Sequence, residues 1–320
     1  MSEIGFGAWT IALDWWGKKI EEDEAIRMLQ RAYDLGINFF ETGDMYGRGK
    51  SEELIGKAFQ GMRDKIVIST KYGYEFENAE QIGHQELPQK FDPEFTDHAL
   101  NRSLERLQTD YVDMYGLHNP KLRHVQDETI FETLDKKIQE GKIRACQAAL
   151  GPAIGWTLEG IEAMERKNIS AVQTVYNILE QTPGNELIEN GIAKNVGILV
   201  RVPDASGILT GKVNENTKID PKDHRSVRKG EWIQASLKKV EQLRPIADRN
   251  GLNITELSIK FILSKKGISS VLPTVISVEE LEMFATMSDG NYLSDADMKE
   301  IEELYTTWPP YEIKGTPVPA

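Results

Sequence analysis

Polar side chains of the kind that move protons stand just past three short apolar runs, far apart in the chain. Ile37–Phe40 leads into Glu41, Asp44 and Tyr46; Ile66–Thr70 leads into Lys71-Tyr72; Val112–Leu117 leads into His118-Asn119. An acid, a phenol, an ammonium and an imidazole form a general acid–base set if the fold brings them together. An ammonium beside a phenol favours the phenolate. Lys71 is therefore expected to draw the Tyr46 pKa below its ordinary value of about 10, with Glu41 balancing and orienting the lysine. Each residue alone has a plainer explanation. Glu41 and Lys71 suit an ordinary strand-end ion pair, His118 a satisfied structural histidine, and Tyr46 a rim aromatic. Their recurrence at three successive strand ends is what favours chemistry.

Strand ends meet only if the strands run parallel, and the sequence reads that way. Further apolar runs lie at Ile143–Cys146, Ala171–Val175, Gly197–Val200 and Ser270–Leu272, and a first one at Ile4–Trp9. Between them apolar residues recur at helical spacing: Ala25, Met28, Leu29 and Ala32; Leu54, Ala58 and Phe59; Ala99, Leu100, Leu104 and Leu107; then Leu243, Ile246, Leu257, Phe261 and Ile262. Eight strands alternating with helices over 320 residues predict an α/β fold, a (β/α)8 TIM barrel, whose working groups sit at the C-terminal face. A doubly wound sheet is the rival, but the Gly-x-Gly-x-x-Gly turn after a first strand is absent. Gly36 is expected to close the first helix, Ser51 to cap the second and Asp92-Pro93 to open the third. Tyr74–Phe91 and Asn214–Gly230 read as long loops at the barrel face, and residues 307–320 as a proline-rich tail without helix. No linker divides the chain, so residues 1–320 read as one domain.

Composition narrows the function. Hydrophobic residues are 40% and charged residues 28%, as in a folded globular chain, and the net charge is −13. Such an acidic surface repels phosphate backbones and anionic lipid, so neither nucleic acid nor membrane is expected as a partner. No apolar run approaches a membrane span and the N-terminus has no export signal, which predicts a cytoplasmic location. One cysteine, Cys146, excludes an internal disulfide, and five scattered histidines offer no metal site. Cys146 lies within a strand and reads as an inert core residue.

Phe40-Glu41-Thr42-Gly43-Asp44-Met45-Tyr46-Gly47, with Ser51-Glu52-Glu53-Leu54-Ile55-Gly56, resembles the opening motif of the aldo-keto reductases. Ile68–Lys71, Ser103–Asp113, Leu117-His118, Gly141–Arg144, Val172–Asn177 and Gly207–Lys212 continue the resemblance in order over almost the whole chain. The resemblance implies a barrel that binds an extended nicotinamide cofactor, NAD or NADP, and acts on a small carbonyl or alcohol. By it, Tyr46 is the proton donor or acceptor, Lys71 tunes it, His118 orients the carbonyl, and position 41 pairs with the lysine. It places Gln173, Arg201, Leu209, Gly211, Lys212, Ser277 and Glu280 on the cofactor, and aromatics such as Trp9, Trp15 and Tyr72 around the substrate.

The chain departs from the family pattern at telling positions. Glu41 stands for an aspartate, Ala149-Leu150 for the Ser-Asn pair that holds the nicotinamide amide, and Arg201 for the aromatic that stacks on the ring. A flat guanidinium can stack in its stead. Thr274–Leu281 supplies no base for a 2′-phosphate, and Glu280 stands where an arginine is common, which leans the expectation toward NAD(H). The basic residues Lys212, Lys218, Lys222, Arg225, Arg228 and Lys229 read as a solvated face, or as a clasp on the cofactor pyrophosphate. Two functions follow. One is an NAD(P)-dependent oxidoreductase for an aldehyde, ketone, alcohol or sugar; the other is a cofactor-binding sensor or scaffold barrel with little turnover. A phosphate-sugar barrel is disfavoured by the missing glycine-rich phosphate loop. Substrate identity and oligomeric state are left open.

Overall fold

The computed structural model describes residues 1–13, 18–79, 87–151, 155–218 and 230–309. Eight parallel strands follow one another in chain order: β1 (Phe6–Gly7), β2 (Phe39–Glu41), β3 (Val67–Tyr72), β4 (Val112–His118), β5 (Ile143–Ala149), β6 (Ile169–Val175), β7 (Gly197–Arg201) and β8 (Ile268–Leu272). The residues before β1 close the ring. Ile4 bridges Val271, with Gly5 N–H donating to Val271 O at 2.8 Å and Val271 N–H donating to Glu3 O at 2.7 Å. Around the strands run α1 (Glu22–Asp34), α2 (Lys50–Ala58), α3 (Pro93–Leu107), α4 (Leu122–Val125), α5 (Glu128–Gln139) and α6 (Thr157–Met164). The ring continues with α7 (Gly184–Lys194), α8 (Gly230–Arg249), α9 (Ile254–Leu263), α10 (Val278–Ala285) and α11 (Asp295–Thr307). The fold is the (β/α)8 barrel that the sequence pattern predicts.

Period-two alternation sorts the strand residues onto two faces. One parity packs against the helices: Phe40, Ile68, Tyr72, Tyr115, Leu117, Cys146, Ala148, Val172, Ile198, Val200 and Val271 all join the main core. The other parity fills the barrel. Its floor is apolar, with Phe39, Met114, Ala171, Leu199 and Leu272 in one cluster against Val67 and Ala145. The next positions up, two residues on, are polar: Glu41, Ser69, Gln147 and Gln173. Gln147 donates from Nε2 to Ser69 Oγ at 2.6 Å across the interior, and a side chain on Gly116 would collide with Gln147. Lys71, His118 and Arg201 complete the same parity at the top.

The helices show where local signals suffice. In α1, Ala25, Met28, Leu29 and Ala32 are the buried positions, as their spacing implies. Asp92 accepts from Phe95 N–H at 2.9 Å and opens α3. Ser51 is not the cap of α2. That helix starts one residue earlier, after Gly49 at φ +93°, where a Cβ would collide with the Arg106 side chain. The Ser51 hydroxyl instead donates to Ala8 O at 2.7 Å and accepts from Thr42 Oγ1 at 2.8 Å, tying α2 to the ends of β1 and β2. The first long loop has structure of its own: Tyr74 bridges Gln89, and Tyr74, Phe76 and Leu87 form a small apolar cluster with Met45 against it. At the C-terminus α11 takes in Thr307. Trp308 packs on Tyr305 and donates from Nε1 to Gln242 Oε1 at 2.9 Å, while residues 310–320 lie outside the described ones.

Candidate active site

Glu41 and Lys71 end neighbouring strands on the interior face, and both are buried. The Lys71 ammonium donates to Glu41 Oε1 and to Thr42 O at 2.7 Å, and it stands 4.4 Å from the centre of the Tyr46 ring. Gly43 makes room for it: a Cβ there would lie 3.3 Å from Lys71 Cγ and 3.5 Å from Nζ. Burial alone would pull the lysine down; Glu41 and Tyr46 outweigh it, and the ammonium is held above its usual range. The Tyr46 phenol moves opposite to the sequence expectation. Burial pushes its pKa up, Lys71 opposes this, and Glu41 reinforces it. The lysine's charge is largely spent on the carboxylate it is bonded to.

His118 ends β4 with its ring edge-on to Tyr46 at 5.6 Å and to Tyr74 at 5.1 Å, centroid to centroid. Burial, then Lys71, then Arg201 lower its pKa well below the ordinary value, so the imidazole is neutral. Its Nδ1 is sealed from solvent with no partner. Gln89 Nε2 donates at 3.0 Å to both His118 O and Asn119 O, fastening the first long loop to this strand end. Asp44 is buried behind Lys71 with Oδ1 unpartnered; burial, reinforced by Glu52, raises its pKa well above normal. Glu52 is itself fixed by Thr70 Oγ1 at 2.6 Å and Arg106 Nε at 2.7 Å.

On the far side of the mouth, Gln173 donates from Nε2 to Glu41 Oε1 at 3.1 Å. A carboxylate only accepts, so this bond turns the Gln173 carbonyl oxygen away from Glu41. Ala149 and Leu150 are buried and contribute backbone alone. Arg201 donates from Nη2 to Leu150 O at 3.0 Å and to Gly151 O, spanning from the end of β7 to the end of β5.

At the rim, Leu209 turns its side chain into the core, within a single 3-10 turn (Ile208–Thr210), and Gly211 follows at φ +71°. Ser277 caps α10, accepting from Glu280 N–H at 3.3 Å. Glu280 is engaged, not a bare acid as the sequence suggested: it pairs with Lys212 at 2.7 Å and accepts from Ile276 N–H at 3.1 Å. Of the other basic residues, Lys218 is exposed, and Lys222, Arg225, Arg228 and Lys229 lie outside the described residues. Trp9 reaches the mouth, its ring 6.4 Å from that of Tyr46. Trp15 lies outside the described residues.

Tyr72 is misplaced by the sequence reading. It sits on the helix-facing parity of β3, stacked on Tyr115 at 4.9 Å with its hydroxyl 2.9 Å from Thr96 Oγ1, and it lines no part of the mouth. The aromatic beside His118 is Tyr74, two residues on. Alternation along β3, with Lys71 facing inward, carried the signal against Tyr72; Tyr74 lies past the strand end, where its bridge to Gln89 places it. Nothing local signals Gln147 or the Glu52–Arg106 pair, which depend on contacts across the barrel and between helices. Cys146 is buried, its thiol pushed up to about 12 by burial, and it is inert as expected. No group of metal ligands and no helix long and apolar enough to cross a membrane occurs among the described residues.

A phenol held beside a buried ammonium–carboxylate pair and a neutral imidazole can exchange one proton with a carbonyl or hydroxyl oxygen. Proteins with named activities resemble the chain over nearly its whole length. The chain is 30% identical over 311 residues to an NADP(+) aldo-keto reductase of Schizosaccharomyces pombe, covering 94% of this chain and 87% of that one. It is 28% identical over 320 residues to the NADH-specific methylglyoxal reductase of Escherichia coli, covering 95% and 94%. The glycerol dehydrogenase of Gluconobacter oxydans superimposes with a TM-score of 0.82 at 23% identity over 99% of this chain and 95% of that one. The model of the aldo/keto reductase family matches residues 3–306, and with that extent the chain belongs to the aldo/keto reductase family of oxidoreductases.

Proposed function

We propose that the protein is a cytoplasmic NAD(P)-dependent oxidoreductase that reduces an aldehyde or ketone, or oxidises the corresponding alcohol or sugar, with Tyr46 as general acid and base. The observation that carries this reading is the convergence of Tyr46, Lys71, Glu41 and His118 from three strand ends onto one mouth. A bound nicotinamide cofactor would supply or accept the hydride. The residues present suit such a group. Gln173 turns a carbonyl oxygen away from Glu41, Arg201 carries a sealed Nε with no acceptor, and Gly211, Lys212 and Ser277 form a rim at the start of α10. Ala149 and Leu150 carry no polar side-chain atom, which leaves Gln173 and Arg201 to hold the nicotinamide end.

In the reducing direction Tyr46 gives its proton to the carbonyl oxygen as the carbonyl carbon gains the hydride. The raised pKa keeps the phenol protonated at neutral pH. The phenolate left behind is stabilised by the ammonium of Lys71, which Glu41 keeps charged. Neutral His118 orients the substrate oxygen. For the cofactor, Thr274–Leu281 offers hydroxyls and acids and no base, and Lys212 is bound to Glu280, so the preference leans toward NAD(H).

The test is Tyr46→Phe. Turnover against a panel of aldehydes and ketones should fall by about 10²-fold or more, with cofactor affinity and thermal stability unchanged. A variant keeping over about a tenth of wild-type kcat would remove Tyr46 from the chemistry. A wild-type protein that binds cofactor but turns over no carbonyl would favour the sensor or scaffold alternative.

A further inference from the structure

Glu41 accepts two hydrogen bonds on one oxygen. Its Oε1 takes the Lys71 ammonium and, at 3.1 Å, Nε2 of Gln173. The second bond crosses the barrel, because β2 and β6 stand opposite one another in the eight-stranded ring. Both side chains are buried, at 4% and 3% exposure. Among the described residues it is the one hydrogen bond that the Gln173 side chain makes.

An amide at a strand end can present either its oxygen or its nitrogen to a ligand, and the two orientations have nearly the same shape. Glu41 removes the choice. The carboxylate accepts and does not donate, so Nε2 is committed to Glu41 and Oε1 is turned away as an acceptor. The neighbours cannot take that part. Ala149, paired with Gln173 across β5 and β6, and Leu150 carry no polar side-chain atom, and the Arg201 guanidinium only donates. Of these four residues, Gln173 alone can accept.

The bond depends on the length of residue 41. An aspartate would end short by one methylene, about 1.5 Å, which carries the 3.1 Å contact well past hydrogen-bond range. Lys71 has slack to follow, on a flexible four-carbon stem. Gln173 has less, because its backbone is paired with Ala149 on one side and Leu199 on the other, and a shift of that size would force its torsions off their staggered wells.

We propose that Glu41 is a positioning residue for the cofactor: it fixes the Gln173 amide as an acceptor, so that the nicotinamide carboxamide is recognised through its N–H2 group. This rests on the nicotinamide reading above. The bond supplies preorganisation, since an amide already held in one orientation loses less freedom when the cofactor arrives.

The probes are NAD+ and 3-acetylpyridine adenine dinucleotide, in which a methyl replaces the carboxamide N–H2 while the carbonyl stays. Calorimetry without substrate compares their binding to wild type, Glu41→Asp, Gln173→Met and the double variant. Both substitutions leave the charges of the Lys71 pair in place, and circular dichroism checks that each variant folds. Wild type should bind NAD+ about fivefold or more tighter than the analogue. Gln173→Met should weaken NAD+ binding and bring the ratio within about twofold of one. Glu41→Asp should cut the ratio by about threefold or more, because a freed amide can turn its N–H2 toward the analogue's carbonyl. In the Gln173→Met background, Glu41→Asp should change the ratio by less than about twofold. Absence of a wild-type preference overturns the proposal, as does a preference that Glu41→Asp leaves intact. An effect of Glu41→Asp that persists at full size when Gln173 is replaced also overturns it, and assigns the change to the Lys71 charge. Failure of both dinucleotides to bind wild type removes the nicotinamide reading itself, a result distinct from a ratio that does not respond to position 41.

Discussion

Replacing Glu41 by glutamine tests the buried pair on which the site is built. Glu41 is 4% exposed and Lys71 1% exposed. The amide keeps the size of the side chain, and Lys71 keeps its bond to Thr42 O at 2.7 Å, but the ammonium loses its counter-charge. Removing one member of a buried pair typically costs about 3–5 kcal/mol. An independent bound agrees. The orphaned ammonium can escape by shedding its proton, which at pH 7 costs about 1.36 kcal/mol for each of roughly 3.4 units below 10.4, or about 4.6 kcal/mol. The pH dependence has a definite sign. In wild type the folded pKa of Lys71 lies above its ordinary value, so the stabilisation is complete below about pH 10.4 and is lost as pH rises through the folded value. The gap between wild type and Glu41→Gln should therefore be widest near neutrality and close above about pH 10.4. Urea unfolding followed by circular dichroism, for Glu41→Gln, Lys71→Met and the double variant, measures it. The double variant buries no unpaired charge and should cost at least about 2 kcal/mol less than the sum of the singles. Additive costs, or a gap indifferent to pH, would refute the reasoning.

Asp44→Asn should stabilise the protein at pH 7 by about 1 kcal/mol or more. The raised pKa means that wild type loses stability as pH climbs above about 3.9, so the advantage of the variant should vanish in acid; a destabilised variant at neutral pH would show that the ionised carboxylate is satisfied. His118, neutral when folded, should make wild type lose stability relative to His118→Gln below about pH 6.5, by up to about 1.36 kcal/mol per pH unit; parallel curves would mean that the imidazole protonates in place. Parallel fluorescence titrations should find NADH bound at least as tightly as NADPH. NADPH binding tenfold tighter, about 1.4 kcal/mol, would reverse the cofactor assignment.

Much of the frame is written locally. Apolar runs of strand length, helical spacing such as Ala25, Met28, Leu29 and Ala32, and the Asp92-Pro93 start of α3 each depend on a few adjacent residues, and each appears where the spacing puts it. Alternation within β2, β3 and β4 set Glu41, Lys71 and His118 on one face, so a rule about strand ends found them without any contact being known. The same rule, used without its parity, put Tyr72 in the mouth, when one residue's step turns it onto Tyr115 and Thr96. What the tertiary structure decided are quantities that depend on partners from elsewhere in the chain. Ser51 has the chemistry of a cap, but α2 begins at Lys50 after Gly49, so Ser51 lies inside the helix and Ala8 and Thr42 engage its hydroxyl. Glu280 has the charge to repel a phosphate, but Lys212 and the Ile276 amide occupy it. The Tyr46 phenol has a lysine beside it, yet its pKa rises, because the lysine's field is compensated by Glu41 and burial acts on the ring from all sides. Residue type and spacing fix which groups face the mouth. The protonation and partners of those groups follow from local dielectric and from neighbours brought close only when the barrel closes.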